Sequence, residues 1–172
     1  MDLDLAPEHA LLRDTVRDFM ASEVAPVVEE HERDRRFPTD IVKRIGELGW
    51  LGIPIPEDEG GAGLDTLAYA IAVEEIGRVW GSLGLIVAAH TSLGCGPLHL
   101  AGSEEQKQTY LVPMASGNVL GAYGLTEPGA GSDAGGTRTT ARRDGDGWVL
   151  NGAKLHSFPT RRSSDLDRKS VV

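Results

Sequence analysis

The sequence predicts a mainly α fold, in which an N-terminal helical bundle is followed by the first strands of a β domain. Apolar residues recur at helical spacing through the first two-thirds of the chain. From Asn118 onwards, threonine-rich and short apolar segments alternate with Gly- and Asp-containing turns, as is typical of antiparallel strands. We therefore expect a helical domain over residues 1–117 and the start of a β domain over 118–155. Two or three strands cannot close a core by themselves, so this β domain is expected to be incomplete.

The composition excludes several classes of protein. The 172 residues include 26 acidic and 17 basic side chains, for a net charge of −9. Such a balance argues against a nucleic-acid partner, because binding phosphates needs a cationic face. The single cysteine, Cys95, excludes an intrachain disulfide. The N-terminus carries acidic residues where a signal peptide has a basic and then an apolar stretch. We therefore expect a cytoplasmic protein with no membrane partner.

The first helix is predicted over residues 7–35, where apolar side chains line one face and charged side chains the other. Pro26 should kink or loosen it, because proline has no N–H to donate. A second, short helix is expected to follow Pro38 and to end near Gly49. Residues 53–56, Ile-Pro-Ile-Pro, should be extended, since a residue that precedes proline avoids the α region.

Three further helices complete the predicted bundle. Asp65 is expected to cap the third. The fourth, over residues 82–100, lies in a stretch without Asp, Glu, Lys or Arg, but glycine, proline and histidine dilute its hydrophobicity. We therefore expect a helix buried on all sides rather than a membrane span. Ser103 and Gln106 form a capping-box pattern, which predicts a fifth helix ending near Met114.

The β segment is predicted from turn and strand patterns. Residues 119–125 are β-compatible, and a loop should follow over 126–136. Three threonines favour a strand over residues 137–143. Asp-Gly-Asp-Gly at 144–147 is typical of a hairpin turn, with the returning strand at 148–150.

The glycine-rich run at residues 129–134 has the spacing of a dinucleotide fingerprint. It lacks the required strand directly before it and helix directly after it, so that interpretation is not supported. The glycines could still bring backbone N–H groups close to a ligand, beside the Thr126 and Ser132 hydroxyls and the Tyr123 ring. The alternative is a surface turn that binds nothing.

Other side chains that could carry chemistry have simpler explanations. His90, Cys95 and His99 lack a nearby fourth ligand, so we interpret them as satisfied core residues and predict no metal site. The adjacent glutamates at 29–30 and 74–75 are expected to be solvated helix faces. No nucleophile and base stand in a recognisable arrangement.

Several segments together resemble the acyl-CoA dehydrogenase family. Leu-Gly-Trp at 48–50, Ile-Pro-Glu at 55–57, Gly-Gly-Ala-Gly at 60–63 and Gly-Ser-Glu-Glu-Gln-Lys at 102–107 are similar in order to its N-terminal domain. The eleven residues at 123–133, Tyr-Gly-Leu-Thr-Glu-Pro-Gly-Ala-Gly-Ser-Asp, closely match its signature. Asn-Gly-Ala-Lys at 151–154 also follows the family pattern, so the resemblance covers about residues 3–155.

The resemblance implies an FAD enzyme, usually a homotetramer, with a β domain between two helical domains. In this family a glutamate removes the α-proton of an acyl-CoA thioester while the β-hydrogen leaves as hydride to the flavin. The electrons then pass to an electron-transfer flavoprotein. Alternatives are an acyl-CoA oxidase or flavin monooxygenase of the same superfamily, or a short non-catalytic module that binds acyl-CoA or a partner.

The resemblance also implies site residues. Tyr123, Gly124, Leu125 and Thr126 are expected to bind the flavin, with the Leu125 N–H and the Thr126 hydroxyl hydrogen-bonded to its ring. Ser132 is expected beside the pantetheine and phosphate portion of acyl-CoA. The family's catalytic glutamate lies beyond the matched residues. No catalytic residue is therefore assigned, and the chain by itself is expected to be inactive and to bind FAD weakly or not at all.

The family pattern is lost after Lys154. The family continues with an aromatic-Ile-Thr-Asn-Gly type segment, whereas this chain reads Leu-His-Ser-Phe-Pro-Thr-Arg-Arg. Residues 158–166 match the translation of an adapter used in short-read sequencing, and the last 20 residues carry five basic and two acidic side chains. We therefore predict a non-native tail over residues 156–172. A genuine basic tail that docks on an acidic partner is the alternative.

Overall fold

The computed structural model describes residues 4–155, so the predicted tail at 156–172 lies outside the described part of the chain. Contacts divide the chain into two compact units, with the boundary after Ala122. The first unit is helical, and the second holds a long loop and a two-stranded antiparallel sheet. This confirms the predicted fold class, a mainly α chain with the start of a β domain. The domain limits at residues 117 and 155 stay predictions.

The first helical run changes its hydrogen-bond register in the middle. Helix α1, Pro7–Phe19, passes into a π-helical turn at Met20–Val24 and a 3-10 turn at Ala25–Val27 before helix α2, Val28–Asp34. Pro26 lies in the 3-10 turn, where its missing N–H cannot continue an α-helical ladder. The predicted loosening at this proline is confirmed.

The core of the helical unit forms around one face of α1. Val16 and Met20 are fully buried, and the Phe19 and Trp50 rings form a T-shaped pair with centroids 5.2 Å apart. Helices α3 (Thr39–Glu47), α4 (Thr66–Val79) and α5 (Gly81–Ala89) supply most of the other buried apolar side chains. These are Val42, Ile45, Ala68, Ala72, Ile76, Leu83 and Val87. Full burial of one large apolar side chain stabilises the fold by about 1.5–3 kcal/mol.

A glycine-rich loop packs closely on the turns that follow α3. The segment predicted to be extended, residues 53–56, is instead part of a series of turns. The N–H groups of residues 62–64 donate to carbonyls of residues 52–55 at 2.8–3.0 Å, which holds these turns in place. A Cβ on Gly61 would lie 2.1 Å from the Ile55 carbonyl oxygen, so a residue without a side chain is required there.

Helix α4 begins at the predicted cap. The Asp65 carboxylate accepts a hydrogen bond of 2.8 Å from the Ala68 N–H, and it also accepts one of 3.0 Å from His9 Nε2 on α1. Helix α5 follows directly after Trp80, and the two helices approach closely where Gly84 faces Gly77. Asp65 therefore caps the N-terminus of α4 and also connects it to α1.

The charge-free helical run is buried on one face only. It comprises α5, a π-helical segment at His90–Cys95 and helix α6, Gly96–Ala101. The prediction of burial on all sides is wrong, because Leu85, Leu93 and Leu100 are exposed and Leu100 has 83% of its surface accessible. A lack of charge shows only that a helix is apolar and does not say how much of it is covered.

By length and composition alone, the run from Gly81 to Ala101 could cross a membrane, with a mean hydropathy of 1.3. Buried residues make up 33% of that window. A core helix of a soluble protein satisfies the same two criteria, so this observation is weak evidence for a membrane span.

The last helices of the first unit begin at the predicted capping box. Ser103 Oγ accepts from the Gln106 N–H, and Gln106 Oε1 accepts from the Ser103 N–H. Helix α7, Glu104–Gln106, then continues through a π-helical turn at Lys107–Leu111 into helix α8, Val112–Ala115. The capping-box prediction is confirmed.

The sheet of the second unit is a hairpin. Strands β1, Thr140–Asp144, and β2, Gly147–Asn151, pair in antiparallel register with Arg142 opposite Val149. Gly145 opens the two-residue turn with φ of +61°, which confirms the predicted hairpin. The β-compatible residues 119–125 form no strand, because no other segment within residues 4–155 provides a ladder for them.

One of the predicted solvated glutamates is buried. Glu74 is exposed, as are Glu29 and Glu30, but Glu75 retains only 3% of its accessible surface. Its carboxylate pairs with Arg17 Nη2 at 2.7 Å and Arg78 Nη2 at 2.9 Å. The Arg17 guanidinium holds the pKa of this carboxyl below its usual range. The prediction fails for Glu75 because its two guanidinium partners permit burial of an ionised group.

We expect Gly61→Ala to lower the free energy of unfolding by about 1–3 kcal/mol, because the new Cβ collides with backbone. The matched control is Gly77→Ala, a position inside α4 where a Cβ meets nothing within 4 Å. There the same substitution should raise stability by up to about 1 kcal/mol, since alanine favours the helix. Urea unfolding of the full chain measures both effects, and equal changes of one sign would contradict the packing of the loop.

We expect Arg17→Met to lower the free energy of unfolding at pH 7 by about 1–3 kcal/mol, since a buried carboxylate loses a partner. A carboxyl with a lowered folded-state pKa stabilises the fold above its ordinary pKa, and this contribution is lost as pH falls through the folded-state value. The deficit of the variant should therefore shrink below about pH 4.5. Urea titrations at several pH values measure it.

The control for this experiment is Arg13→Met, which breaks a solvent-exposed pair with Asp14. Its effect at pH 7 should stay within about 0.5 kcal/mol. A deficit for Arg17→Met that is the same at every pH would argue that packing, and not the ion pair, accounts for the loss.

Candidate functional site

The four residues predicted to bind the flavin, 123–126, lie on an irregular and largely exposed segment of the second unit. Tyr123 is 49% exposed and Leu125 39% exposed, while Thr126 is half-buried. Gly124 lies between them and is also exposed. The structure therefore places these four consecutive residues where a ligand can reach them.

The backbone of this segment is held through two consecutive carbonyl groups. The Leu125 carbonyl accepts a hydrogen bond of 2.9 Å from Lys154 Nζ, and the Thr126 carbonyl accepts one of 2.7 Å from the Leu155 N–H. Both donors follow strand β2 in the chain. The hairpin thus fixes the predicted flavin segment without using the donors of that segment.

The Glu127 carboxylate is the centre of the unit. Only 7% of its surface is accessible, and it accepts from Lys154 Nζ at 2.9 Å and from the N–H groups of Arg138 and Thr139 at 2.7 and 3.0 Å. The Lys154 ammonium, followed by the two loop residues, holds the pKa of this carboxyl well below its usual range. Glu127 is therefore a buried, ionised acceptor that three donors surround.

A tight turn connects this carboxylate to the glycine-rich run. Glu127 and Ala130 exchange two backbone hydrogen bonds of 2.9 and 3.1 Å, and Pro128 occupies a position where its fixed φ suits a turn. Ser132 follows in an exposed position and forms no hydrogen bond with another residue of the described range. The predicted substrate residue is thus accessible, several residues beyond the predicted flavin segment.

The hydrogen-bond donors of residues 123–126 have no acceptor within residues 4–155, and they include the Leu125 N–H and the Thr126 hydroxyl. Because donors without a protein acceptor are left to water or a ligand, these donors on an otherwise anchored backbone are suited to an acceptor-rich ligand.

A cavity of about 330 Å³ lies beside the ion pair, lined by Glu127, Arg138 and Thr139 together with small residues. None of the residues predicted to bind flavin or acyl-CoA lines it. The Thr139 hydroxyl is buried without a hydrogen-bond partner in the described part of the chain. We assign no ligand to this cavity.

The residues considered for a metal site are paired within the protein. His90 Nδ1 accepts from the Gly121 N–H at 2.9 Å, so the proton is on Nε2, which donates to the Met114 carbonyl at 3.1 Å. Burial lowers the pKa of His90 and raises that of the Cys95 thiol to about 12. No group of three potential metal ligands occurs among residues 4–155.

His99 differs from the predicted core role, because it is only half-buried. Its Nδ1 lies 2.5 Å from a Glu59 carboxylate oxygen, and Lys107 Nζ contacts the other oxygen at 2.7 Å. This cluster joins the loop after α3 to two later helical segments. His99 is therefore a partner in a surface contact.

Sequence reasoning assigned no role to Glu127 and Lys154, although both lie in the quoted motifs. One signal was available. Glu127 is the single charged residue between Lys107 and Asp133. A lone charge among small and apolar residues has to find a partner if the segment folds. The identity of that partner, 27 residues away, could not be read from local patterns.

Comparisons with known proteins agree with these observations. Residues 6–118 match the model of the acyl-CoA dehydrogenase N-terminal domain, and residues 122–162 match that of the middle domain. A probable acyl-CoA dehydrogenase of Bacillus subtilis is 53% identical over 154 residues, which are 90% of this chain and 40% of the relative. The chain thus spans about two-fifths of the length of this curated relative.

Solved structures are similar as well. A chain from a structure described as the electron transferring flavoprotein of Acidaminococcus fermentans has a TM-score of 0.86 and 42% identity, over 90% of this chain and 41% of that one. An acyl-CoA dehydrogenase of Bacillus anthracis, solved in complex with FAD, has a TM-score of 0.78 and 44% identity, over 88% of this chain and 26% of that one. The chain therefore belongs to the acyl-CoA dehydrogenase family, and the match includes both the helical unit and the loop around Glu127.

Proposed function

We propose that the chain provides the flavin-facing segment of an FAD-dependent acyl-CoA dehydrogenase, an oxidoreductase that introduces a double bond between the α and β carbons of an acyl-CoA thioester. One observation carries the proposal. The Leu125 N–H and the Thr126 hydroxyl are donors without an acceptor in the described range, on a backbone held from its carbonyl side. The FAD-bound relative from Bacillus anthracis supports the choice of cofactor.

The donors suit the chemistry of a flavin. Bound FAD would accept a hydride from the substrate, and negative charge then develops on the ring. A backbone N–H and a hydroxyl aimed at ring acceptors stabilise such charge most when they are positioned in advance. The backbone of Leu125 and Thr126 is held in this way, because their carbonyls are bonded to Lys154 and Leu155. Tyr123 and Gly124 would line the ring beside them.

The rest of the proposal follows from family membership. Ser132, exposed beyond the turn at Glu127, would contact the pantetheine and phosphate portion of acyl-CoA. The structure named for an electron transferring flavoprotein supports such a protein as the electron acceptor. We further propose a cytoplasmic enzyme that assembles as a homotetramer. No residue of the chain is proposed as the catalytic base.

A chimera tests the flavin site in a chain of full family length. Residues 4–155 replace the matched part of the Bacillus subtilis relative, which is 53% identical over that part. The chimera should purify with bound FAD. Thr126→Ala should weaken FAD binding about two- to tenfold, the equivalent of one lost hydrogen bond. Flavin absorbance after dialysis and the reduction potential measure the change.

Thr140→Ala is the matched control, because that threonine is exposed on β1 and its hydroxyl lies 3.5 Å from its nearest acceptor. This variant should keep the flavin content and potential of the chimera. If Thr126→Ala also keeps both, Thr126 does not hold the flavin and the proposed site is wrong.

Ser132→Ala should raise the KM for acyl-CoA about two- to tenfold, because one polar contact to the substrate is lost. Flavin content should stay that of the unsubstituted chimera. Steady-state kinetics with an artificial electron acceptor measure KM, and Ser22→Ala in the first helical run is the control. A variant that loses flavin at unchanged KM would move Ser132 from the substrate to the cofactor.

A further inference from the structure

We propose that Lys154 is a positioning residue for the flavin, because its ammonium group bridges the Leu125 carbonyl and the Glu127 carboxylate and so fixes the Leu125–Thr126 peptide and the residue between them that carries the hydroxyl donor. The inference rests on the function proposed above. It assigns a role to a side chain that would not itself touch the cofactor.

The bridge spans the residue that carries the predicted hydroxyl donor. Lys154 Nζ lies 2.9 Å from the Leu125 carbonyl oxygen and 2.9 Å from Glu127 Oε1. The Leu125 carbonyl belongs to the peptide plane that continues into Thr126, and peptide planes are rigid. Holding this oxygen therefore fixes the orientation of the plane that joins the two donor residues.

A cation is well suited to this position. Glu127 is buried and ionised, and a charged donor forms stronger hydrogen bonds to a carboxylate than a neutral one. An ammonium group has three N–H donors, so it can serve the carboxylate and the carbonyl at once. The stem of Lys154 also packs at the site, since its Cβ would be 3.6 Å from a Cβ placed on Gly124.

The other anchors cannot replace the bridge. Glu127 would keep the Arg138 and Thr139 N–H donors, and the Thr126 carbonyl would keep its bond from Leu155. The Leu125 carbonyl has no second donor among residues 4–155. Loss of Lys154 should therefore free the Leu125 peptide while the hairpin and the turn remain folded. The effect on flavin would be local to the donor pair.

The test uses the 172-residue chain labelled with ¹⁵N and titrated with FAD up to millimolar concentration. In the unsubstituted chain, FAD should shift the Leu125 and Thr126 amide resonances. Lys154→Met should move these two resonances before FAD is added and should weaken FAD binding about five- to tenfold. Lys154→Arg, which keeps the positive charge and several N–H donors, should restore most of the affinity. Lys43→Met, the same change at an exposed site of α3, should alter neither.

The amides of β1 and β2 report whether the second unit stays folded. If Lys154→Met loses them, Lys154→Gln takes its place, since its amide can still donate to one of the two acceptors. Unchanged Leu125 and Thr126 resonances with unchanged FAD affinity in the neutral variant would overturn the positioning role. If FAD moves no amide of residues 123–126 in the unsubstituted chain, the same variants are compared for flavin retention in the chimera described above. A chimera that retains no FAD would overturn the proposed function, and the inference with it.

Discussion

The Glu127 carboxylate is the interaction on which the second unit depends. Within residues 123–155 this unit has only a two-stranded sheet, and most of the side chains there are exposed, so apolar packing contributes little. The Glu127 carboxylate instead accepts hydrogen bonds from the Arg138 and Thr139 N–H groups, just before β1, and from Lys154, after β2. Because the group is buried and ionised, its three donors offset the cost of removing the charge from water, and loss of the Lys154 cation would leave the Arg138 and Thr139 N–H groups as its remaining partners. The order of the loop is thus electrostatic in origin.

The helical unit is built on the opposite basis. Its core is apolar, and its turns are fixed by close backbone contacts at glycine, such as Gly61 against Ile55. Charged groups enter this core only where they are paired, as in the contact of Glu75 with Arg17. One chain therefore joins a unit held by packing to a unit whose loop is held by an ionised carboxylate and its donors, and the residues proposed to face the flavin lie in the second.

Local signals predicted those elements whose cause is local. The Asp65 cap, the capping box at Ser103 and the Gly145 turn each depend on residues at most four positions apart, and each prediction is confirmed. The failures concern long-range partners. Nothing near Glu75 in the sequence indicates that Arg17, 58 positions earlier, covers it, and the same is true of Glu127 and Lys154. The exposed leucines of the charge-free helix were missed because composition does not report which faces are covered.

The distribution of tryptophans gives the two units separate optical signals. Trp50 and Trp80 are buried in the helical unit, whereas Trp148 lies on β2 and is 53% exposed. Indole emission shifts to longer wavelength in water, and a soluble quencher reaches an exposed ring first. The quenchable, red-shifted part of the fluorescence therefore comes from the hairpin beside the proposed flavin segment. A flavin bound there would also accept energy from Trp148, so the chain carries its own reporter of ligand binding.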